Sequence, residues 1–114
     1  MKLYTGNIRV RIARSFLDKT LGLIVVAKKD FDFFYLFDFG FESRWFSSAH
    51  SFLMSYDVAM FFLDENFKIV EIIKRVEPNK FVIPKCKCRY LVELPISLVG
   101  CFCIGDDFKE NLTL

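Results

Sequence analysis

The chain has 114 residues, of which 54% are hydrophobic and 18% aromatic, and its formal net charge is +2. This length and apolar content predict one globular domain over residues 1–114 and exclude an intrinsically disordered chain. The near-balanced charge indicates no nucleic-acid partner, because nucleic-acid-binding domains concentrate basic residues on one face. Arg9, Arg11 and Arg14 form the nearest basic cluster, and we interpret them as the solvent side of a strand.

The sequence also bears on where the protein resides. Its start, "MKLYTGNIRVRIAR", has charges but no apolar run behind them, unlike a signal peptide. The longest apolar stretches, "LGLIVVA" and "VAMFFL", are far shorter than a membrane span. We therefore expect a soluble cytoplasmic protein that has no membrane partner and is a monomer or weak homo-oligomer.

The first half of the chain alternates between strand and helix signals. In "NIRVRIAR" apolar and polar residues alternate, which predicts a half-buried strand. "SFLDKTLGLI" breaks the alternation and predicts a short helix that is capped by Ser15 and ends near Gly22. "FDFFYLFDFGF" predicts an aromatic-rich strand, or a pair of strand pieces, that turns at Gly40, and "ESRWFSSAH" predicts a loop.

The second half predicts a hairpin and further strands. "DVAMFFL" and "FKIVEIIKRV" flank the turn-forming "DEN", which begins at Asp64. Pro78 and Pro84 bracket an irregular crossing, "CRYLVEL" is a strand that Pro95 ends, "ISLVG" is one helical turn, and "DDFKENLTL" is a last strand. These elements predict a mainly β fold, namely a compact antiparallel β-sandwich or partly open barrel with one or two short helices.

Several blocks resemble a known family when taken in order. "HSFLMSYDVAMFFLDENFKIV", "VEPNKFVIP", "RYLVELP" and "IGDDF" are similar to the uncharacterised family called domain of unknown function 192. The resemblance implies a mainly β, sandwich-like fold and no known reaction. The family's aspartate before "FLD" falls on Ala59 in an ungapped alignment and on Asp57 after a shift of two residues, which keeps the same strand face.

Five polar residues are candidates for a binding site. His50 is the single histidine, and as a general base it would need an activated nucleophile or a positioned substrate nearby. Asp57, Asp64, Glu93 and Asp106 are the candidate carboxylates, although turn formation also explains Asp64 and Asp106.

Glu93 lies among apolar residues in "RYLVELP", which carries apolar side chains on both faces. This pattern predicts a central strand covered on both sides. Glu93 is then partly buried and needs a donor, for which His50, Arg89, Arg44 and backbone amides are the candidates. Met54, which follows a phenylalanine and a leucine, is expected to fill a gap in the core.

The four cysteines form two Cys-x-Cys pairs, Cys86 with Cys88 and Cys101 with Cys103. Residues two apart on a strand face the same way, so the pairs could together hold zinc. Structural zinc sites usually separate paired ligands by at least two residues, so free thiols are favoured over a metal site or a disulfide.

Sequence motifs exclude several activities. The chain has no phosphate-binding glycine loop, no nucleophile elbow and no metalloprotease motif. We expect no cofactor, and three hypotheses for the function remain. The first is a binding or accessory module for a small molecule or partner protein, the second is a small enzyme that uses His50 with a carboxylate, and the third is a metal-binding protein that uses the cysteines.

Overall fold

The computed structural model describes residues 9–13, 26–44, 49–51 and 54–111 of the chain. Within these ranges the molecule is mainly β, as predicted. The strands are β1 (Val10–Ala13), β2 (Phe34–Ser43), β3 (Ala49–His50), β4 (Val58–Leu63), β5 (Ile69–Val76), β6 (Phe81–Val82) and β7 (Cys88–Leu94). The helices are short 3₁₀ turns at Lys28–Asp30, Ile96–Cys101 and Phe108–Asn111.

The strands form a five-stranded sheet in the order β1-β2-β7-β4-β5 and a two-stranded sheet of β3 and β6. β2, β7, β4 and β5 pair antiparallel, as expected, whereas β1 and β2 pair parallel. Parallel neighbours need a connection of about a dozen residues or more, and residues 14–33 lie between these two strands. Alternation identifies β1 as a strand but says nothing about its direction in the sheet.

The predicted hairpin is present, because β4 and β5 are antiparallel neighbours joined through the "DEN" segment. The carboxylate of Asp64 accepts hydrogen bonds from the backbone N–H groups of Asn66 at 2.8 Å and Lys68 at 2.9 Å. Phe67 completes the turn with a φ of 63°. Asp64 is therefore a turn residue, as its position in the sequence indicated.

Both faces of the sheet are buried. The cluster on the front face comprises Ala13, Phe31, Phe33, Phe37, Met54, Tyr56, Val58, Met60, Phe62, Val76, Cys88 and Leu91. The cluster on the back face comprises Phe34, Leu36, Ala59, Phe61, Leu63, Ile69, Tyr90, Val92, Leu94, Phe102 and Phe108. Side chains of β4 alternate between the two clusters and all six are buried. β7, the strand predicted to be central, lies between β2 and β4 and has buried side chains on both faces, so this prediction is confirmed. The core position predicted for Met54 is confirmed as well.

Two predicted elements differ from the structure. The end of the chain contains the 3₁₀ helix Phe108–Asn111 where a strand was expected. The carboxylate of Asp107 accepts the N–H of Lys109 at 2.9 Å, which starts a turn, while Phe108 is fully buried on the back face. The predicted loop "ESRWFSSAH" contains strand residues at both ends, because β2 continues to Ser43 and β3 pairs with β6.

The crossing between Pro78 and Pro84, which was expected to be irregular, also contains the two-residue strand β6 (Phe81–Val82). Pro95 ends β7, and the helical turn predicted for "ISLVG" is the 3₁₀ helix Ile96–Cys101. The predicted helix at Ser15–Gly22 lies outside the described residues. Within the described ranges, no helix has the length and apolar character needed to cross a membrane.

Candidate functional site

A half-open cleft of about 570 Å³ lies at one end of the large sheet. Val58 pairs with Val76 and Ala59 pairs with Leu94, so the start of β4 and the ends of β5 and β7 meet at this end. The residues that line the cleft are Lys28, Phe31, Ser55, Tyr56, Asp57, Arg75, Pro95, Ile96 and Ser97. Strand pairing thus brings together segments that are far apart in the sequence.

The lining of the cleft is partly apolar and partly polar. Phe31, Pro95 and Ile96 provide carbon surface, while Ser55 and Ser97 provide hydroxyl groups. Asp57 and Arg75 form an ion pair with an Oδ2 to Nε distance of 2.6 Å. Lys28, an exposed residue of the first 3₁₀ helix, adds a second cation. The cleft can therefore contact both the apolar and the polar parts of a ligand.

Tyr56 connects the cleft to the front-face cluster. Its side chain lines the cleft and also packs against Phe31, with ring centroids 5.9 Å apart. Its hydroxyl donates a hydrogen bond to the backbone oxygen of Val26 at 2.9 Å. Burial raises the pKa of Tyr56 to about 12, and the nearby Glu93 carboxyl contributes to the rise. Tyr56 is therefore a neutral hydrogen-bonding group within electrostatic reach of Glu93.

Glu93 is a carboxyl group in the interior of the protein. It is 6% exposed and lies on β7 directly between Tyr35 of β2 and Met60 of β4. Burial raises its pKa to about 8, because the charged form loses its hydration. Glu93 therefore keeps its proton at neutral pH.

The predicted ion pair for Glu93 is not formed with either arginine candidate. Arg89 donates to Asp38 at 3.1 Å, and Arg44 donates to the backbone oxygen of Pro84 at 2.9 Å. Neither interaction involves Glu93, and the side chain of His50 lies outside the described part of the structure. Neither arginine is therefore the partner of Glu93, and Arg89 instead forms an ion pair with Asp38 on the neighbouring strand β2.

The candidate carboxylates separate into two places. Asp57 lines the cleft, and Glu93 lies behind Tyr56 in the same half of the molecule. Asp64 and Asp106 lie at the opposite end of the sheet, where the Asp106 carboxylate accepts the N–H of Cys103 at 2.9 Å. His50 lies on β3, in the two-stranded sheet with β6. The five predicted residues therefore do not form one constellation.

The two cysteine pairs do not converge either. All four thiols are free, and Cys88 belongs to the front-face cluster while Cys101 packs against the back-face cluster. The Cys88 thiol donates to the backbone oxygen of Cys86 at 3.2 Å. No group of three or more histidine, cysteine, aspartate or glutamate side chains suited to a metal occurs in residues 9–13, 26–44, 49–51 and 54–111.

Sequence analysis missed most of the cleft. Lys28, Ser55, Tyr56, Arg75 and Ser97 carry its polar groups together with Asp57, and none of these five was a candidate. One signal was available in the sequence, because the polar triplet "SYD" interrupts an apolar run just before the fully buried β4. Lys28 and Ser97 had no such signal, since only the folded chain brings them near that triplet.

No protein-family model matches the chain. The UPF0127 protein of Pyrococcus horikoshii is 35% identical over 89 residues, which cover 78% of this chain and 74% of that protein. The chain belongs to the UPF0127 family. The UPF0127 protein of Thermococcus sibiricus is 30% identical over 98 residues, which cover 86% of this chain and 60% of that longer protein. The names of these relatives give no reaction or ligand, so the family is an uncharacterised one.

Two solved structures share the fold of this UPF0127 protein. A candidate transcription regulator of Sinorhizobium meliloti matches with a TM-score of 0.76 and 20% identity, over 86% of this chain and 78% of that one. A protein of unknown function from Novosphingobium aromaticivorans matches with a TM-score of 0.71 and 12% identity, over 88% of this chain and 73% of that one. At such low identity the two similarities establish the fold alone.

Proposed function

We propose that the protein is a binding module for a small molecule and that the cleft at the end of the sheet is its binding site. The cleft volume of about 570 Å³ carries the proposal, because small-molecule sites typically occupy roughly 300–1,000 Å³. Its lining also combines apolar surface with a few polar groups, which is the usual composition of such sites.

The distribution of aromatic residues supports a small molecule over a protein partner. In the segment "FDFFYLFDFGF" most aromatic side chains are buried or half-buried, and only Phe41, which is 54% exposed, lies largely at the surface. This segment therefore belongs to the core and does not present the large apolar patch that marks many protein interfaces.

A thermal-shift screen of a metabolite library against the wild-type protein tests this proposal. Ser97→Trp fills the cleft from an exposed position, and Lys109→Trp places the same bulky residue on an exposed position of the last 3₁₀ helix. We expect ligands that raise the Tm of the wild type and of Lys109→Trp, but not of Ser97→Trp. Ligands that stabilise all three proteins equally, or a screen with no ligand, would contradict the proposal.

A second candidate function is acid catalysis, which Glu93 supports. A carboxyl group that is protonated at neutral pH can donate a proton, and strongly shifted acids of this kind are common at active sites. In this hypothesis the proton donor is Glu93, whereas the sequence had suggested an enzyme that uses His50 with a carboxylate. Glu93 interacts electrostatically with Tyr56, and Tyr56 lines the cleft.

The catalytic candidate is tested by hydrolysis assays with p-nitrophenyl esters, phosphates and glycosides. Activity should be present in the wild type and in Glu65→Gln, an exposed control, and absent in Glu93→Gln. The Tm of each variant is measured alongside, so that loss of activity is separated from loss of the fold. Equal rates in wild type and Glu93→Gln would contradict acid catalysis by this residue.

We also propose that the protein resides in the cytoplasm and that its resemblance to domain of unknown function 192 reflects common ancestry. The four free thiols support a cytoplasmic location, because cysteines stay reduced there. Labelling of the native protein with a thiol reagent directly after extraction tests this, and the exposed Cys86 and Cys103 should react.

A further inference from the structure

The charges in the cleft are not balanced. Its lining carries two cations, Lys28 and Arg75, and one anion, Asp57. Asp57 and Arg75 neutralise each other through their 2.6 Å contact. Lys28 makes no side-chain hydrogen bond or ion pair with any residue in the described part of the chain. One positive charge in the cleft is therefore left for a ligand.

The surroundings of Lys28 favour a negatively charged group. The hydroxyls of Ser55 and Ser97 can donate hydrogen bonds to an anion, as Lys28 can. Glu93, the nearest buried acid, adds no negative charge behind the cleft at neutral pH, because burial keeps it protonated by raising its pKa to about 8. Lys28 and Arg75 would repel a cationic ligand, and Asp57 already forms an ion pair with Arg75.

The apolar part of the lining restricts the ligand further. Phe31, Pro95 and Ile96 form carbon surface alongside the polar groups. An inorganic anion would leave this surface in contact with water, whereas an aromatic or aliphatic body would cover it. The complementary molecule is therefore small and amphipathic, with one charged end.

We propose that the ligand is a small organic carboxylate, whose carboxylate group contacts Lys28 and the serine hydroxyls while its apolar body packs on Phe31, Pro95 and Ile96. This inference rests on the proposed function, because it names the ligand class of the same cleft. Charge-assisted hydrogen bonds give the carboxylate its advantage over a neutral group of the same shape.

Three probes of similar size and different charge test the inference, namely benzoate, benzamide and benzylamine. Each is titrated into isotope-labelled protein, and the amide signals of Ser55, Tyr56 and Ser97 are followed by nuclear magnetic resonance. We expect benzoate to bind about five- to tenfold more tightly than benzamide, because a charged hydrogen bond contributes more than a neutral one. Benzylamine should bind most weakly.

Two lysine variants locate the source of the preference. Lys28→Gln should reduce the affinity for benzoate to that for benzamide, whereas Lys29→Gln should leave the preference unchanged. Lys29 is the matched control because it is an equally exposed lysine of the same 3₁₀ helix and does not line the cleft. Added salt should weaken benzoate binding and leave benzamide binding unchanged.

The outcomes separate the ligand class from the proposed function. If benzamide or benzylamine binds as tightly as benzoate, or if Lys28→Gln keeps the preference, the carboxylate inference is overturned while binding in the cleft stands. If no probe shifts the cleft signals, the inference is also overturned, and the metabolite screen with Ser97→Trp then decides on the proposed function separately.

Discussion

The two faces of the sheet are both buried but differ in chemistry. The back-face cluster holds the hydroxyl of Tyr90 but no acidic side chain, and its phenylalanines meet edge to face, with ring centroids of Phe61 and Phe102 at 5.2 Å and of Phe34 and Phe108 at 5.3 Å. On the front face the same central strands present Glu93, and Tyr56 connects that face to the cleft. The front face therefore accepts a buried acid that stability does not require, and the back-face cluster has none.

This difference indicates where function lies. Each edge-to-face aromatic pair adds roughly 0.5–1.5 kcal/mol beyond the burial of its area, which suits a face that holds the sheet together. Burial of a carboxyl group costs free energy even when it is protonated, because the group loses its hydration. The structure that surrounds Glu93 must offset this cost. An apolar residue at the same position would stabilise the folded state without such a cost. The front face is accordingly where we expect a functional role for Glu93.

The largest expected effect is on the back face. Phe61 is fully buried on β4 and contacts the rings of Phe102 and Phe108. We expect Phe61→Ala to lower the free energy of unfolding by about 3–5 kcal/mol, because it removes apolar contacts and leaves a cavity. Chemical denaturation followed by circular dichroism measures the change.

The control for this variant is Ile104→Ala, which shortens a side chain that is 66% exposed. Its effect should stay within about 0.5 kcal/mol, as for most surface substitutions. Equal losses in the two variants would mean that the back-face cluster is not the stabilising core described here.

The second prediction concerns pH and the front face. The pKa of Glu93 rises from 4.5 to about 8 on folding, so between these values the folded state holds a proton that the unfolded state has lost. This contribution to stability is complete below pH 4.5, decreases as the pH rises, and is gone above about pH 8. The free energy of unfolding should therefore fall by at most about 1.4 kcal/mol per pH unit across this window.

The variant Glu93→Gln isolates this contribution, because its side chain has nearly the same volume and never ionises. Denaturation of wild type and variant at pH 5, 7 and 9 should show their difference shift in favour of the variant as the pH rises. A constant difference would show that Glu93 has an ordinary pKa and is not buried as a neutral acid.

Much of the fold was predictable because its signals are local. Alternation in "CRYLVEL" and the turn chemistry of Asp64 specify β7 and the hairpin from neighbouring residues alone. The parallel pairing of β1 with β2 and the two-residue strands β3 and β6 were not predictable. They depend on contacts between distant segments, and two residues are too few to show a period.

The site was less predictable than the fold. Sequence analysis identified Glu93 as an acid in an apolar strand that needs a hydrogen-bond donor, but it did not predict that burial keeps the carboxyl group protonated. The cleft depends on four segments that meet only after the sheet has formed. Of its lining residues only Asp57 was a candidate, because Lys28 and Ser97 stand in unremarkable surroundings in the sequence.

A smaller effect is expected at the hairpin end of the sheet, remote from the cleft. Asp64→Ala removes two hydrogen bonds to backbone N–H groups in an exposed turn. We expect a loss of about 1 kcal/mol in the free energy of unfolding and no change in ligand affinity at the cleft. The neighbouring Glu65→Ala should change stability by less than about 0.5 kcal/mol. A change in cleft affinity for Asp64→Ala would show that the two ends are coupled.

The smallest effect on the Tm is predicted for metal removal. This experiment tests whether cysteines from the two faces bind a common metal ion. Cys88 packs on the front face and Cys101 on the back face, so a zinc ion bound by all four thiolates would have to draw together groups that the sheet separates. The aromatic core already supplies the burial that a small metal-dependent domain lacks. Incubation with a strong chelator should therefore leave the Tm unchanged, as it should for Cys103→Ser. A fall of many degrees in the wild type but not in Cys103→Ser would establish a structural metal site.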